Sequence, residues 1–244
     1  MPTDIRCYVV NLRRRPDRRA AIAKQIPGDL PVRYTSDWPV EIDGRVLDHR
    51  SLGASGLRLF PWRIESANPW WSRPLKWGEI GCAVAHIECW RAAVAEDVDY
   101  ALILEDDAVM TSDFVDDLRG AIRRGGNPSP FDLLYLGRYP LEPDAPSEYP
   151  GLVIPGYSHC TFGYVLSRRA LRAVIAARLH HGIVPVDEFL PALYQQHPRH
   201  DLRRRFPPQL RALAFDPPLA TQRPKAEAGS DTEASEFVEA NEHG

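Results

Sequence analysis

The sequence predicts an α/β fold in a single domain, and three observations carry the prediction. Short apolar, β-branched runs recur at residues 5–12, 100–104 and 131–137; stretches of helical periodicity lie between them; and no internal repeat or clean domain boundary interrupts the 244 residues.

The first run, residues 5–12, reads as a buried strand. A basic turn, residues 13–19, breaks it, and a helix follows over residues 20–26 with Pro16 suited to its first turn. Residues 32–35 form a second strand, so the chain opens as strand, loop, helix, strand. From Trp38 to Pro74 periodicity fades into Pro, Gly, Arg and Trp; an irregular stretch of that length is either functional or hides an element. Helical spacing returns over residues 78–96, where Ile80, Val84, Ile87, Trp90 and Val94 make one apolar face beside a stripe of Glu79, Cys82, His86 and Cys89. Residues 100–104 are the central strand, uninterrupted and apolar as in parallel sheets buried on both sides. A helix over 113–124 is capped by Ser112, with acids in its first turns and arginines in its last. Strands follow at 131–137, 152–154 and 161–166, with a proline-rich loop over 139–150. Ser167 caps a helix running to Leu179, and residues 184–190 lead into a short helix ending near Tyr194. Beyond Thr221 the composition turns polar and acidic, which predicts a tail over residues 223–244, mobile or closing over a site, after a folded domain of residues 1–222.

Composition narrows the function. With 44% hydrophobic and 26% charged residues the chain buries a real core, so global disorder is excluded. No run approaches the roughly 18 apolar residues of a membrane span, and the first ten residues lack the pattern of an export signal, so the expectation is a soluble cytoplasmic protein without a transmembrane segment. A net charge of −3 excludes indiscriminate capture of nucleic acid or anionic lipid, and no nucleic-acid partner is expected. All but three of the 30 cations are arginine, the residue suited to bidentate phosphate contacts, although codon composition accounts for the bias equally well. The four cysteines form no C-x-x-C pair and fit reduced thiols.

The chemistry concentrates where the central strand ends, in Leu104-Glu105-Asp106-Asp107. Adjacent carboxylates repel, by about 4 kcal/mol for a pair at 4 Å and an effective dielectric of 20. Something positive must compensate them. A hard divalent cation that also binds phosphate oxygens does so, and the carboxyl end of a parallel strand is where open α/β sheets place ligands. The plainer alternative is a set of acids capping a turn and facing water. A second acidic place is Asp187-Glu188, flanked by Pro185 and Pro191. At a helix start Asp187 is expected to be held as an anion by free N–H groups, as a general base or as a simple N-cap. Cys82 and His86 stand four apart on one helical stripe, a spacing zinc sites also use, but only two ligands are visible, which favours a hydrogen-bonded helix histidine. The basic turn, residues 13–19, suits a diphosphate or is a solvated turn. No P-loop, G-x-G-x-x-G, G-x-S-x-G or zinc ribbon is present.

Taken in order, Val9-Val10-Asn11-Leu12-Arg13-Arg14-Arg15-Pro16-Asp17-Arg18-Arg19, Gly78-Glu79-Ile80-Gly81-Cys82 with His86, Leu102-Ile103-Leu104-Glu105-Asp106-Asp107, Asp132-Leu133-Leu134-Tyr135-Leu136-Gly137-Arg138, Tyr164-Val165-Leu166-Ser167, residues 185–191 and Ser230-Asp231-Thr232-Glu233 resemble the signature of glycosyltransferase family 25. That family holds bacterial lipooligosaccharide (lipopolysaccharide biosynthesis) sugar transferases and procollagen galactosyltransferases. The resemblance spans nearly the whole chain. It implies a GT-A-like fold with a Rossmann-like mixed sheet flanked by helices, and a metal-dependent inverting hexosyltransferase moving galactose or glucose from a UDP-sugar to an acceptor hydroxyl. Carried over residue by residue, it implies that Asn11, Leu12, Arg15, Asp43 and Gly44 meet the donor nucleotide, that Gly78, Glu79 and His86 line the same cleft, and that Glu105 and Asp107 hold Mn²⁺ or Mg²⁺ with Asp106 nearby. Asp187 is the expected base, with Glu188 in reserve. The sequence departs from the family's pattern at Lys76-Trp77 and Ala85, which touches the donor-sugar contacts, and its Trp-rich residues 61–71 point to an acceptor of its own: a saccharide, a lipid-linked saccharide, a peptide hydroxylysine or a small molecule. Two other readings stay open, a nucleotidyltransferase, disfavoured by the missing glycine-rich phosphate loop, and a catalytically silent module binding a nucleotide-sugar or a protein.

Overall fold

The computed structural model describes residues 4–125 and 129–239. Its elements run β1 (Ile5–Val10), α1 (Pro16–Ala23), β2 (Val32–Tyr34), α2 (His49–Ala54), α3 (Trp77–Ala95), β3 (Tyr100–Glu105), β4 (Ala108–Met110), α4 (Phe114–Gly125), β5 (Leu133–Pro140), β6 (Ala145–Pro146), β7 (Leu152–Ile154), β8 (Ser158–Ser167), α5 (Arg168–Ala176), α6 (Val186–Ala192), α7 (His200–Arg205), β9 (Ala212–Phe215), β10 (Ala220–Gln222) and α8 (Lys225–Ala228). Eight strands make one mixed sheet in the order β2-β1-β3-β8-β5-β9-β7-β6, while β10 and β4 pair as a separate ribbon. The first three strands are parallel and β8 runs antiparallel to both β3 and β5. This is the mixed α/β class that the sequence predicts.

β3 shows why an apolar run with no alternation is the right signal. Ala101 and Ile103 face the core shared with α3, α5 and α6, whereas Leu102 and Leu104 face the core shared with α1 and α4. A strand sandwiched between two helix layers has no polar side to alternate with. α3 is buried almost all round, including His86 and Cys89, so its single apolar stripe is an underestimate; Val94, assigned to that stripe, is 40% exposed.

The irregular stretch after Trp38 does hide an element. Asp48 caps α2 by accepting from the Ser51 N–H at 2.6 Å, while the Ser51 hydroxyl oxygen accepts from the Asp48 N–H at 3.0 Å. α1 begins earlier than expected, at Pro16, and ends at Ala23. The loop assigned to residues 139–150 carries the end of β5 and the short β6, because the carbonyls of a strand end can pair even where proline supplies no N–H. Ser167 caps α5 as predicted, accepting from the Ala170 N–H at 3.2 Å.

Residues 223–239 return over the carboxyl ends of β1 and β3. Trp77 N–H donates to the Glu236 carbonyl at 3.0 Å and Val238 N–H to the Leu75 carbonyl at 2.7 Å, and Val238 is buried. Among the described residues no helix is long and apolar enough to cross a membrane.

Candidate functional site

A cleft of about 680 Å³ opens where β1 and β3 end, walled by the amino ends of α3 and α6, by residues 42–44, and by residues 230–233 of the returning segment. Close backbone contact builds it. A Cβ on Gly81 would lie 2.1 Å from the Ile42 carbonyl oxygen, and one on Gly78 would lie 2.6 Å from Thr232 Cα, so glycine at both places lets two chain segments touch the first turn of α3. Glu79 completes that turn, accepting from the Lys76 N–H at 2.7 Å and pairing with Arg73.

The acidic turn after β3 separates into three environments. Asp106 is buried and bound on both sides, by Asn11 Nδ2 at 2.7 Å and by Arg18 at 3.0 Å. Glu105 accepts from the Thr161 hydroxyl at 2.7 Å and lies 3.7 Å from His86 Nε2; burial opposes its ionisation, but these neighbours outweigh it and hold the carboxyl below its ordinary value. Asp107 is the least satisfied of the three. Gln222 donates to one oxygen at 3.2 Å, the other oxygen is buried with no hydrogen-bond partner, and burial, with Glu105 and Asp106 close by, pushes the carboxyl up to about 7. The compensating charge that three adjacent acids require is supplied in part by Arg18, which is also 3.8 Å from Asp107. Nothing in the sequence singles out that guanidinium, one of five arginines in seven residues.

Asp187 and Glu188, adjacent in α6, differ completely. Glu188 is 3% exposed and its oxygens accept from Trp71 Nε1 at 3.1 Å, Tyr157 Oη at 2.5 Å and His197 Nε2 at 2.6 Å. Burial would raise it, but bonds from His159, His197 and Tyr157 hold it well below the carboxylate range. Asp187 faces the cleft, 3.3 Å from the Thr161 hydroxyl. Burial and then repulsion by Glu105 push it up to about 6, against weaker help from His159 and the Cys160 backbone. Cys160, beside it, carries a φ of +66°, a conformation rare for a residue with a side chain.

On the opposite wall, Arg14 bridges Asp43 and Asp231, its NH1 2.6 Å from an Asp231 oxygen. Arg15 reaches the other Asp231 oxygen at 2.7 Å and pairs with Asp17. Burial opposes the ionisation of Asp43, but the hydrogen bond from Arg14 and its neighbours outweigh it and keep the carboxyl below its ordinary value. Of the residues expected at the site, Asn11, Leu12, Asp43, Gly44, Gly78, Glu79, Glu105, Asp106, Asp107, Asp187 and Glu188 line this one cleft. Arg15 and His86 do not. Arg15 stands behind Asp231, and His86 is fully buried behind Cys82 and Glu105. Trp62 and Trp70, from the Trp-rich residues 61–71, line it as well, and so do His159 and Gln222, which the sequence does not single out because a lone polar residue carries no spacing signal.

Comparison with known proteins adds an independent observation. Residues 60–137 match the family described as "Glycosyltransferase family 25 (LPS biosynthesis protein)". The human protein named "Inactive glycosyltransferase 25 family member 3" is 34% identical over 93% of this chain and 39% of its own length. "Procollagen galactosyltransferase 1" of Danio rerio is 30% identical over 87% of this chain and 35% of its own length. The chain therefore spans less than two fifths of these two relatives.

Proposed function

We propose, from the likeness of this chain to glycosyltransferase family 25, that it is a member of that family and an inverting hexosyltransferase in which Asp187 is the base. A hexose, galactose or glucose, passes from a UDP-sugar to an acceptor hydroxyl. The observation that carries this reading is the state of Asp187: a carboxyl in the cleft, pushed up to about 6, is poised to take a proton near neutral pH. The acceptor oxygen bonds to the anomeric carbon as that carbon's bond to the diphosphate oxygen breaks. UDP leaves with the bonding electrons, and the acceptor proton goes to Asp187. A single displacement with one base inverts the centre, as in inverting glycosidases. Glu188, with its oxygens occupied, serves instead to fix the first turn of α6.

Glu105 and Asp107 fit a hard divalent cation, Mn²⁺ or Mg²⁺: Asp107 holds a buried oxygen with no partner, and the acids beside it outnumber the one guanidinium between them. When bound, such an ion supplies electrostatic relief for charge on the departing diphosphate. Asp106, tied to Asn11 and Arg18, positions the turn. Asn11, Leu12 and the Asp43-Gly44 turn form the wall for the nucleotide, and Trp62 and Trp70 stand where an acceptor enters. The acceptor class is a saccharide, lipid-linked saccharide, peptide hydroxylysine or small molecule, and the expected compartment is cytoplasmic.

UDP release measured across a panel of UDP-sugars with Mn²⁺ tests the reading. Asp187→Asn is expected to lower kcat by at least about a hundredfold, the usual worth of a positioned base, with UDP affinity by calorimetry unchanged. Loss of UDP binding instead moves Asp187 to the donor site. A silent binding module is the second reading, favoured by Arg18 supplying part of the charge a cation would supply and consistent with relatives named inactive. UDP binding without release from any donor would establish it.

A further inference from the structure

We propose that Cys82, His86 and Glu105 form a second metal site, one for a borderline-soft divalent ion of the zinc class, distinct in ligand chemistry from the all-oxygen acidic turn. The Cys82 sulfur, a His86 ring nitrogen and a Glu105 carboxylate oxygen lie within 4.8 Å of one another. His86 Nε2 is 3.7 Å from Glu105 Oε1. Tetrahedral zinc, with bonds of about 2.0–2.3 Å, spaces its ligands roughly 3.3–3.7 Å apart, so His86 and Glu105 already stand at that spacing and the Cys82 sulfur has to move in by up to about 1 Å.

The second observation is His86 itself. Its side chain is fully buried and its Nε2 has no hydrogen-bond partner, although an orphaned ring nitrogen in a protein interior is uncommon. The other nitrogen, Nδ1, is 2.8 Å from Tyr164 Oη, which accepts from Trp90 Nε1 at 2.9 Å. That outer shell fixes the ring with Nε2 aimed at Glu105, as outer partners do for metal-ligating histidines. Cys82 and Glu105 line the cleft while His86 lies behind them, so the fourth coordination position opens toward the cleft, the pattern of three-ligand zinc centres that retain an open place. Thiolate and imidazole select zinc-class ions over Mg²⁺ or Mn²⁺. The i, i+4 spacing of Cys82 and His86 places both on one face of α3, and β3, the next element along the chain, brings the third ligand at its carboxyl end.

The site does not depend on sugar transfer, since its ligands bind metal whether or not the cleft is catalytic. Sharing Glu105 makes occupancy by zinc antagonistic to a hard ion at the acidic turn.

Cobalt(II) alone, titrated into the reduced full chain, is the test. The expected result is stoichiometric binding with intense tetrahedral d–d bands and a thiolate-to-cobalt charge-transfer band. Cys82→Ser removes the charge-transfer band, and His86→Gln weakens binding by at least the roughly 10–100-fold that even outer-shell changes cost; Cys160→Ser and Asp107→Asn retain both signals. Circular dichroism checks folding of each variant, and the conservative Cys82→Ser keeps the test decisive if His86→Gln fails to fold. A saturated protein with no charge-transfer band overturns the proposal, as does a band that survives in Cys82→Ser. So does loss of cobalt binding in Asp107→Asn alone, which places the ion on the acidic turn.

Discussion

At the scale of single residues, the acidic turn separates charge that is tolerated from charge that is not. Asp106 is buried but doubly bonded; Asp107 is buried with half its hydrogen-bonding capacity unmet. Because the folded-state carboxyl of Asp107 is raised to about 7, the folded protein binds a proton there more tightly than the unfolded chain does. Stability from this group is thus greatest below the unfolded carboxylate value and is lost as pH rises toward 7. Metal-free Asp107→Asn is expected to be more stable than the parent at pH 8, by roughly 2–4 kcal/mol from a shift of this size, and to lose that advantage near pH 4. Urea unfolding in EDTA at both pH values measures it, and an advantage of equal size at both would contradict an origin in the ionisation of Asp107. For Asp187, also raised, the proposed role as base requires the deprotonated form, so kcat/KM is expected to fall on the acid side with a limb at or below about 6. A cation near Glu105 removes part of the repulsion and moves that limb down. A pH–rate profile, flat in this range for Asp187→Asn background turnover, checks the assignment.

At the scale of elements, the sequence exposes the ones with a strong period and conceals those defined by partners. β3, α3 and α5 are legible because an unbroken apolar run, a helical repeat and a serine cap are local signals. α2 is not, since its capping box uses Asp48 with Ser51 and only Leu52 is buried. β9 and β10 are not, because strands this short owe their existence to β5 and β4. The amino end of α3 depends on glycine for a reason no periodicity shows. Gly81→Ala sets a Cβ 2.1 Å from the Ile42 carbonyl and is expected to destabilise the fold by roughly 1–3 kcal/mol. Ser167→Ala, removing the cap of α5, is expected to cost about 1 kcal/mol. Thermal or urea unfolding separates the two, and only the glycine change should also weaken UDP binding, because it displaces a cleft wall.

At the scale of the whole molecule, the sheet order gathers the site. β1 and β3 are neighbours and end side by side, so Asn11 meets Asp106 although 95 positions separate them. β8, antiparallel beside β3, brings Thr161 to Glu105. The returning segment then closes the cleft through Asp231 on Arg14 and Arg15. Deleting residues 223–244 removes no strand of the large sheet, so the shortened protein is expected to keep its far-ultraviolet dichroism and cooperative unfolding. UDP affinity is expected to fall at least about tenfold, equivalent to about 1.4 kcal/mol, with the loss of one wall. Unchanged affinity by calorimetry would show that this segment takes no part in donor binding.

The chain's local chemistry by itself determined the α/β class, the acids at the end of the central strand, the paired carboxyls of residues 187–188 and the ordered motifs of the family. These are legible because each is written in neighbouring residues. Only the tertiary structure decided which of two adjacent carboxyls stays strongly acidic and which is lifted toward neutrality, that Arg18 enters the acidic turn, and that Glu105 joins Cys82 and His86. Those outcomes depend on burial and on charges brought close from remote parts of the chain, and both come into being only when the sheet forms and the helices close over it.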